Sequence, residues 1–209
     1  MKSVALAVGL AIALVGAPAY SEVSIGISLP SVQIGFSVAA YPQMVVVPGF
    51  PVYYAPSVDA NFFFYDGLYW TLNHDTWYSS SWYNGPWSVV AVEAVPVFLW
   101  RVPVRYYRRP PPYFHGWGGN EPPRWGEHWG PGWENGHAGW NHWDRHDVPR
   151  AAPLPAYQRK YRGDHYPRSE EQATMHRQNY HYEHQDPMVR EGMGGGVREE
   201  HENERGHDH

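Results

Sequence analysis

The sequence contains no cysteine among its 209 residues. This absence excludes disulfide bonds, a thiol nucleophile and the attachment of a lipid to a cysteine at a processed end. Stability must therefore come from packing alone. The sequence also lacks a G-x-S-x-G motif, a phosphate-binding P-loop and an H-E-x-x-H zinc motif. We therefore expect a protein that is not an enzyme and that has no catalytic or cofactor-binding residues.

Positive charge is scarce as well, with 16 Lys and Arg against 21 Asp and Glu. Residues 1–114 hold five charges of each sign, so the net charge of −5 lies in residues 115–209, which also hold twelve of the 13 histidines. A protein that binds a phosphate backbone usually displays a basic patch. No such patch is present in the sequence, and we therefore expect no nucleic-acid partner.

A long hydrophobic run is found only at the beginning of the sequence. Met1–Ser3 carries one positive charge, Val4–Gly16 is apolar, and Ala17–Ala19 supplies the small residues of a cleavage site. This order predicts a secretory signal peptide over residues 1–19. Because the apolar run is shorter than the ~20 residues that span a bilayer, we expect an exported protein without a membrane-spanning segment after cleavage.

Residues 20–43 are predicted to form a strand-like N-terminal arm. Apolar residues alternate with small or polar ones in Val23–Leu29 and again in Val32–Val38, and Pro30-Ser31 separates the two segments. Such period-two alternation is typical of a strand with one apolar face. The arm is therefore expected to be a hairpin that either adds to the following domain or forms a flexible segment.

Residues 44–109 are predicted to form a small β domain. The pair Asp66-Gly67 stands between the aromatic runs Phe62–Tyr65 and Leu68–Leu72, and Asp-Gly in this setting is the strongest short-range hairpin signal. Asn84-Gly85-Pro86 indicates a further turn. We therefore expect an all-β fold, built on a small antiparallel aromatic meander of three or four strands.

Residues 110–209 are predicted to form a long, mostly disordered C-terminal tail. The run Pro110–Pro112 favours polyproline II and marks the boundary. Leu, Ile and Val occur only four times in residues 113–209, which is too little apolar surface to offset the entropy of ordering. Ser169–Gln172 has the pattern of a capping box, and a short helix is therefore expected over residues 169–179.

Six tryptophans are concentrated in residues 115–146 of this tail. Three of them recur at every fourth position, but the intervening glycines and Pro131 disfavour a stable helix. We expect the indoles to be exposed and to contact a component of the cell envelope, whether glycan, protein or an outer-membrane surface. There are two alternatives to exposed contact residues. The segment is low-complexity sequence without a contact role, or its indoles fold back over the sheet. The six residues are Trp117, Trp125, Trp129, Trp133, Trp140 and Trp143.

Histidines of the same tail form a second candidate site. Neutral imidazole is a good ligand for Zn, Cu and Ni, but the spacings match no folded site, and the ligands would have to be gathered at an entropy cost. We therefore expect no cofactor beyond weak binding of Ni, Cu or Zn. A periplasmic transition-metal-binding or buffering protein is accordingly the alternative function, and solvated histidines without a metal role are the competing interpretation. The candidate ligands are His137, His142, His146, His181, His184, His207 and His209.

Two aromatic motifs, FYDGLYW at Phe64–Trp70 and WYNGPW at Trp82–Trp87, carry a family resemblance. They resemble segments of a family of uncharacterised exported or periplasmic proteins of Gram-negative bacteria, and the similarity extends over roughly residues 44–135. The resemblance implies a location in the periplasm or at the outer membrane, but it implies no activity and no functional residue. We therefore expect a non-enzymatic envelope protein with a structural or adhesive role based on exposed aromatic side chains.

Overall fold

The computed structural model describes residues 34–192 of the chain. The predicted signal peptide, residues 1–19, lies outside the described residues, and so does the first part of the predicted arm, residues 20–33. The end of the predicted tail, residues 193–209, is also outside them. It contains two of the candidate metal ligands, His207 and His209.

The centre of the molecule is a six-stranded antiparallel sheet whose strands lie side by side in sequence order. The predicted antiparallel aromatic meander is therefore confirmed, with four strands within residues 61–90. Two short strands that precede the aromatic hairpins extend the sheet at one edge. The strands are β1 (Val45–Val46), β2 (Val52–Tyr54), β3 (Asn61–Tyr65), β4 (Leu68–Asn73), β5 (Thr76–Ser80) and β6 (Ser88–Val90).

The β3–β4 hairpin is closed by the predicted turn Asp66-Gly67. Its two residues have φ angles of +47° and +87°, as in the mirror-image turns whose twist matches that of the flanking strands. Tyr65 lies opposite Leu68, and Phe63 lies opposite Trp70. Because residues directly opposite each other point to the same side of a sheet, Phe63 and Trp70 share one face. The hairpin expected from the Asp-Gly pair is thus confirmed.

Both faces of the sheet are buried, and all five residues of β3 are inaccessible to solvent or nearly so. Phe63 belongs to a hydrophobic cluster around Trp70, on the side that we call the Trp70 face. Phe62 belongs to a second cluster around Tyr69, on the side that we call the Tyr69 face. A sheet with two apolar faces needs a cover on each of them, so the rest of the chain has to supply two layers.

The Trp70 face is covered by short helices from the middle of the chain. The ring of Trp100 meets those of Trp77 and Trp125 edge to face, with centroids 5.5 and 4.8 Å apart. The indole N–H of Trp125 donates a 2.8 Å hydrogen bond to the carbonyl of Trp100, which satisfies the one polar atom of this buried side chain. The helices of this layer are α1 (Val97–Trp100), α2 (Trp125–Trp129) and α3 (Pro131–Gly136).

The Tyr69 face is covered from both ends of the described chain. Ile34 and Val38 are buried in its cluster, although residues 34–43 form no strand. The prediction of a second strand in the arm is therefore wrong for residues 34–38. Its apolar residues Ile34 and Val38 nevertheless pack against the protein. From the C-terminal side, Ala152 is buried in the same cluster, and Tyr166 and Tyr180 pack against it.

The helix expected over residues 169–179 is confirmed as α4 (Ser169–Asn179). The predicted capping box is wrong, because the N-cap is Arg168 and its side chain makes no capping hydrogen bond to the backbone of the first turn. The helix is held instead by tertiary contacts, since the indole N–H of Trp82 donates a 3.1 Å hydrogen bond to the carbonyl of Gln172. Residues 187–192 are also helical. The 3-10 helices are Val92–Ala94, Val104–Tyr106, Pro112–Phe114, Arg145–Asp147, Ala156–Lys160 and Gly163–His165.

Two finer predictions are corrected by this architecture. The fold is not purely β, because helices form the cover of the sheet. Residues 110–192 are also not a disordered tail, since Trp125 and Val189 within them are both 0% exposed. Each Trp or Tyr buries about 150–250 Å², so a count of Leu, Ile and Val underestimates the apolar surface of this segment. No helix within residues 34–192 combines the length and the apolar character needed to cross a bilayer.

Candidate binding cleft

The six predicted contact tryptophans occupy different environments. Trp125 is 0% and Trp133 7% exposed, and both belong to the cluster of the Trp70 face. This corrects the expectation that all six are exposed, because α2 and α3 turn these two indoles inward. Trp143 is half-buried and lines an open cleft. The remaining three are half-buried and pack against the cluster of the Trp70 face: Trp117, Trp129 and Trp140.

The cleft beside Trp143 has a volume of about 340 Å³. Its wall combines three aromatic with three polar side chains, and prolines and a glycine complete it. Apolar and aromatic walls with a few placed polar groups are typical of small-ligand sites. We call it the aromatic cleft. Its aromatic residues are Phe50, Tyr106 and Trp143, its polar residues are Arg105, Asn120 and Glu121, and Pro48, Gly49, Pro103 and Pro122 complete the lining.

Phe50 is positioned by the turn between β1 and β2. Pro48-Gly49 occupies the centre of this turn, and Gly49 has a φ angle of +80°, which a residue with a Cβ rarely adopts. The N–H of Phe50 donates a 3.0 Å hydrogen bond to the carbonyl of Val47. Proline followed by a glycine at positive φ is the arrangement of a type II turn. The local sequence therefore fixes the position of Phe50 as the last residue of this turn.

Tyr106 also lines the cleft and ends the 3-10 helix Val104–Tyr106. Its N–H donates a 3.0 Å hydrogen bond to the carbonyl of Pro103. Its ring meets that of Tyr54 in β2 edge to face, with centroids 4.9 Å apart. Edge-to-face pairs of this kind add about 0.5–1.5 kcal/mol beyond burial alone. Tyr106 is therefore anchored both by its backbone and by its ring.

The polar side of the cleft is a loop tied to the same 3-10 helix. The N–H of Val104 donates to the carbonyl of Glu121, and the N–H of Arg105 donates to the carbonyl of Gly119, both at 3.0 Å. These two bonds hold Asn120 next to Arg105 in the cleft wall. The side chains of Arg105, Asn120 and Glu121 are exposed, so they are free to meet a ligand on a fixed backbone.

Trp143 is held in place by Arg101, which lies behind it. The guanidinium of Arg101 sits 4.6 Å from the centroid of the Trp143 ring. It donates to the carbonyls of Trp140 and His142 as well. Burial lowers the pKa of Arg101, but a guanidinium keeps its charge inside proteins. Since Phe50 lies against the same indole, with centroids 5.8 Å apart, Trp143 is fixed on two sides.

The electrostatic character of the cleft is balanced. Its lining contains one cation, Arg105, and one carboxylate, Glu121. Asn120 adds an uncharged amide, which both donates and accepts hydrogen bonds. The cleft therefore offers donors and acceptors without a net charge.

Two larger clefts of about 830 and 820 Å³ both include Ile34–Phe36 in their walls. Each of them contains an arginine that is already paired within the protein. Arg168 bonds to Glu171 at 3.3 Å, and Arg109 in the other cleft pairs with Asp59. The aromatic cleft is the better candidate site because three aromatic side chains line it together with an arginine that does not share its charge with such a partner within residues 34–192.

The predicted histidine ligands are not brought together. Within residues 34–192, no three His, Asp or Glu side chains lie close enough to hold a metal ion. His137 stacks on the ring of Trp133, with centroids 4.2 Å apart. Nδ1 of His184 donates a 2.5 Å hydrogen bond to the carbonyl of Asp66, so this nitrogen is occupied. The other three candidates in the described region are exposed: His142, His146 and His181.

A pair of buried carboxylates escaped the sequence analysis. Asp66 is 3% and Asp186 8% exposed, and Oδ2 of Asp66 accepts a 3.0 Å hydrogen bond from the N–H of Asp186. Burial raises the pKa of Asp186. The two residues lie 120 positions apart, so no local pattern could have linked them. Their oxygens bond to the protein's own groups, which identifies a structural network rather than a site for a ligand.

No protein-family model, no curated protein and no solved structure matches the chain. The family resemblance of the aromatic motifs therefore stays a prediction.

Proposed function

We propose that this protein is a non-enzymatic, exported envelope protein that binds a component of the bacterial cell envelope through the aromatic cleft. One observation carries the proposal: three aromatic and three polar side chains converge on one open cleft of about 340 Å³. Trp, Tyr and Arg are the residue types that dominate binding energy at interfaces. The cleft contains one of each, in Trp143, Tyr106 and Arg105.

The rigidity of the cleft supports a role in binding. A site whose residues are already ordered loses little entropy when a ligand arrives. Phe50 is fixed by its turn, Tyr106 by its 3-10 helix and Trp143 by Arg101. Each wall of the cleft is thus set by contacts within the protein before any partner binds.

The chemistry of the lining favours binding over catalysis. Hydrolysis of a glycoside usually requires two carboxyl groups that flank the bond to be broken. Glu121 is the one carboxylate among the residues that line the aromatic cleft, and it is exposed. The lining also contains no serine, threonine or histidine that would serve as a nucleophile or a base. A contact function therefore suits the cleft better than turnover.

The proposal is tested by co-sedimentation of the purified full chain with peptidoglycan sacculi and, separately, with outer-membrane fragments. We expect retention on at least one of the two fractions, and Trp143→Ala should lower the apparent affinity at least tenfold. Trp117→Ala is the matched control, because Trp117 is also half-buried but does not line the cleft. Equal retention of the wild type and of Trp143→Ala would contradict the proposal, as would the absence of retention on both fractions.

A further inference from the structure

We infer that the ligand of the aromatic cleft is a neutral sugar ring of a glycan chain. This inference rests on the proposed function and names the ligand class of the same site. It follows from the combination of ring faces, hydroxyl-binding groups and charge in the cleft wall. The first two features match a sugar ring, and the third disfavours charged ligands.

The aromatic walls suit the face of a pyranose ring. Aromatic faces carry a negative quadrupole and therefore attract the polarised C–H groups that a sugar ring presents on its face. Phe50 and Trp143 lie 5.8 Å apart with an angle of 53° between their planes. They are thus in contact with each other and form one bent aromatic wall rather than a parallel stack. Because Arg101 lies over the Trp143 ring from within the protein, the indole cannot fold away when the cleft is empty.

The polar groups suit the edge of the same ring. A hydroxyl group donates one hydrogen bond and accepts up to two. Arg105 only donates, Glu121 only accepts and Asn120 does both, so the three side chains match the mixed character of sugar hydroxyls.

The balance of charge excludes strongly charged ligands. A phosphate-rich headgroup would be attracted by Arg105 but repelled by Glu121. A cationic peptide would be attracted by Glu121 but repelled by Arg105. Proline-rich peptides also bind grooves with aromatic walls. A proline nitrogen has no hydrogen to donate, so such a peptide has few N–H groups that could donate a hydrogen bond to Glu121. A neutral carbohydrate satisfies both charged groups with hydroxyls.

The inference is tested by isothermal titration calorimetry of the full chain with maltohexaose, cellohexaose and chitohexaose. We expect at least one of them to bind, with a dissociation constant that is nearly independent of salt, because a neutral ligand is not steered by screened charges. Trp143→Ala and Glu121→Gln should each weaken binding about tenfold, which corresponds to about 1.4 kcal/mol. A decapeptide of proline and a short polyphosphate are titrated in parallel.

Two controls keep a folding defect apart from a binding defect. Glu121→Gln changes an exposed side chain, so it leaves the core intact and reports on binding even if Trp143→Ala unfolds. Glu93→Gln is its matched control, because Glu93 is equally exposed but lies outside the cleft. We expect Glu93→Gln to bind like the wild type. Equal losses for Glu121→Gln and Glu93→Gln would contradict the assignment.

The two proposals fail in different ways. If no oligosaccharide binds while retention on envelope fractions still depends on Trp143, the sugar assignment is overturned and the proposed function stands. Binding of the proline peptide or of polyphosphate in a Trp143-dependent manner, without oligosaccharide binding, has the same meaning. If an oligosaccharide binds at Trp143 but neither envelope fraction retains the protein, the proposed envelope partner is wrong and the ligand class stands.

Discussion

The phenolic hydroxyl of Tyr65 donates a 2.8 Å hydrogen bond to Oδ2 of Asp186, which lies 121 residues further along the chain. The neighbouring carboxylate of Asp66 accepts from the hydroxyl of Tyr182 at 2.8 Å and from the N–H of Gln185 at 2.9 Å. Together these bonds fasten the C-terminal segment to the tip of the β3–β4 hairpin. We call this group of residues the Asp66 network.

The first prediction concerns the stability supplied by the Asp66 network. Asp66→Ala removes the acceptor of Tyr182, Gln185 and Asp186, and each buried donor left without a partner costs about 1–3 kcal/mol. Because Tyr182 is only half-buried, water replaces part of the loss. We expect the free energy of unfolding to fall by about 2–4 kcal/mol, measured by urea denaturation.

The control for this prediction is Asp164→Ala. Asp164 is exposed and contacts only the neighbouring exposed His165 through its side chain. Substitutions at such surface positions usually change stability by less than about 0.5 kcal/mol. Equal losses for Asp66→Ala and Asp164→Ala would show that the Asp66 network does not hold the segment.

The second prediction concerns Gly67 in the same turn. A Cβ at this position would lie 2.8 Å from Cε1 of His184, and the φ angle of +87° is unfavourable for any side chain. Gly67→Ala should therefore destabilise the protein by about 1–3 kcal/mol. The melting temperature measures this effect. Gly132→Ala in α3 is the comparison, because a Cβ there meets nothing within 4 Å, and helix propensity favours alanine.

The third prediction concerns the dependence of stability on pH. Burial lowers the pKa of His176 to about 4, against an ordinary value of about 6.5 in the unfolded chain. Since the folded state resists protonation, this stability is fully present above about pH 6.5 and is lost as the pH falls towards 4. We expect a loss of about 2 kcal/mol between pH 7 and pH 5.

Two histidine variants isolate this effect. His176→Gln should flatten the pH dependence of the urea midpoint between pH 7 and pH 5, because the half-buried titrating group is gone. His181→Gln should leave the slope unchanged, since His181 is exposed. The raised pKa of Asp186 acts in the opposite direction, and it is present in both variants. An unchanged slope in His176→Gln would assign the effect to another group.

The fourth prediction concerns the segment after residue 109. A chain that ends there loses α2 and α3 from the Trp70 face and Ala152 from the Tyr69 face. A small sheet needs a packed face to be stable in water, so this truncation should lack dispersed NMR signals and a cooperative transition. A chain that ends at residue 192 should keep both. If the shorter chain folds with native stability, the cover is dispensable.

The meander was predictable because its signals are local. A turn such as Asp66-Gly67 is set by the φ angles that its own residues tolerate, and helix α4 was found at its full length of 169–179. The order of residues 110–192 was not predictable by the same means. Its apolar surface is carried by indole rings such as Trp125 rather than by aliphatic side chains, and these rings acquire partners only when the sheet is present.

The candidate site shows the same division. Trp143 was among the predicted contact residues, but Phe50, Tyr106 and Arg105 were not. The sequence offered no periodicity or spacing that linked them. Trp125 and Trp143 look alike in the sequence, yet one is fully buried and the other lines a cleft. The two tryptophans differ only in where the tertiary structure places their backbone relative to the sheet.

The sequence alone determined the turns of this protein, the pairing of its central strands and the extent of its longest described helix. Each of these depends on backbone sterics and side-chain patterns within a few neighbouring residues. The tertiary structure decided which aromatic side chains are core and which form the cleft, and it joined Asp66 to Asp186 across 120 positions. Burial and desolvation depend on residues that are distant in the chain, and for that reason they become visible only after the sheet has been covered.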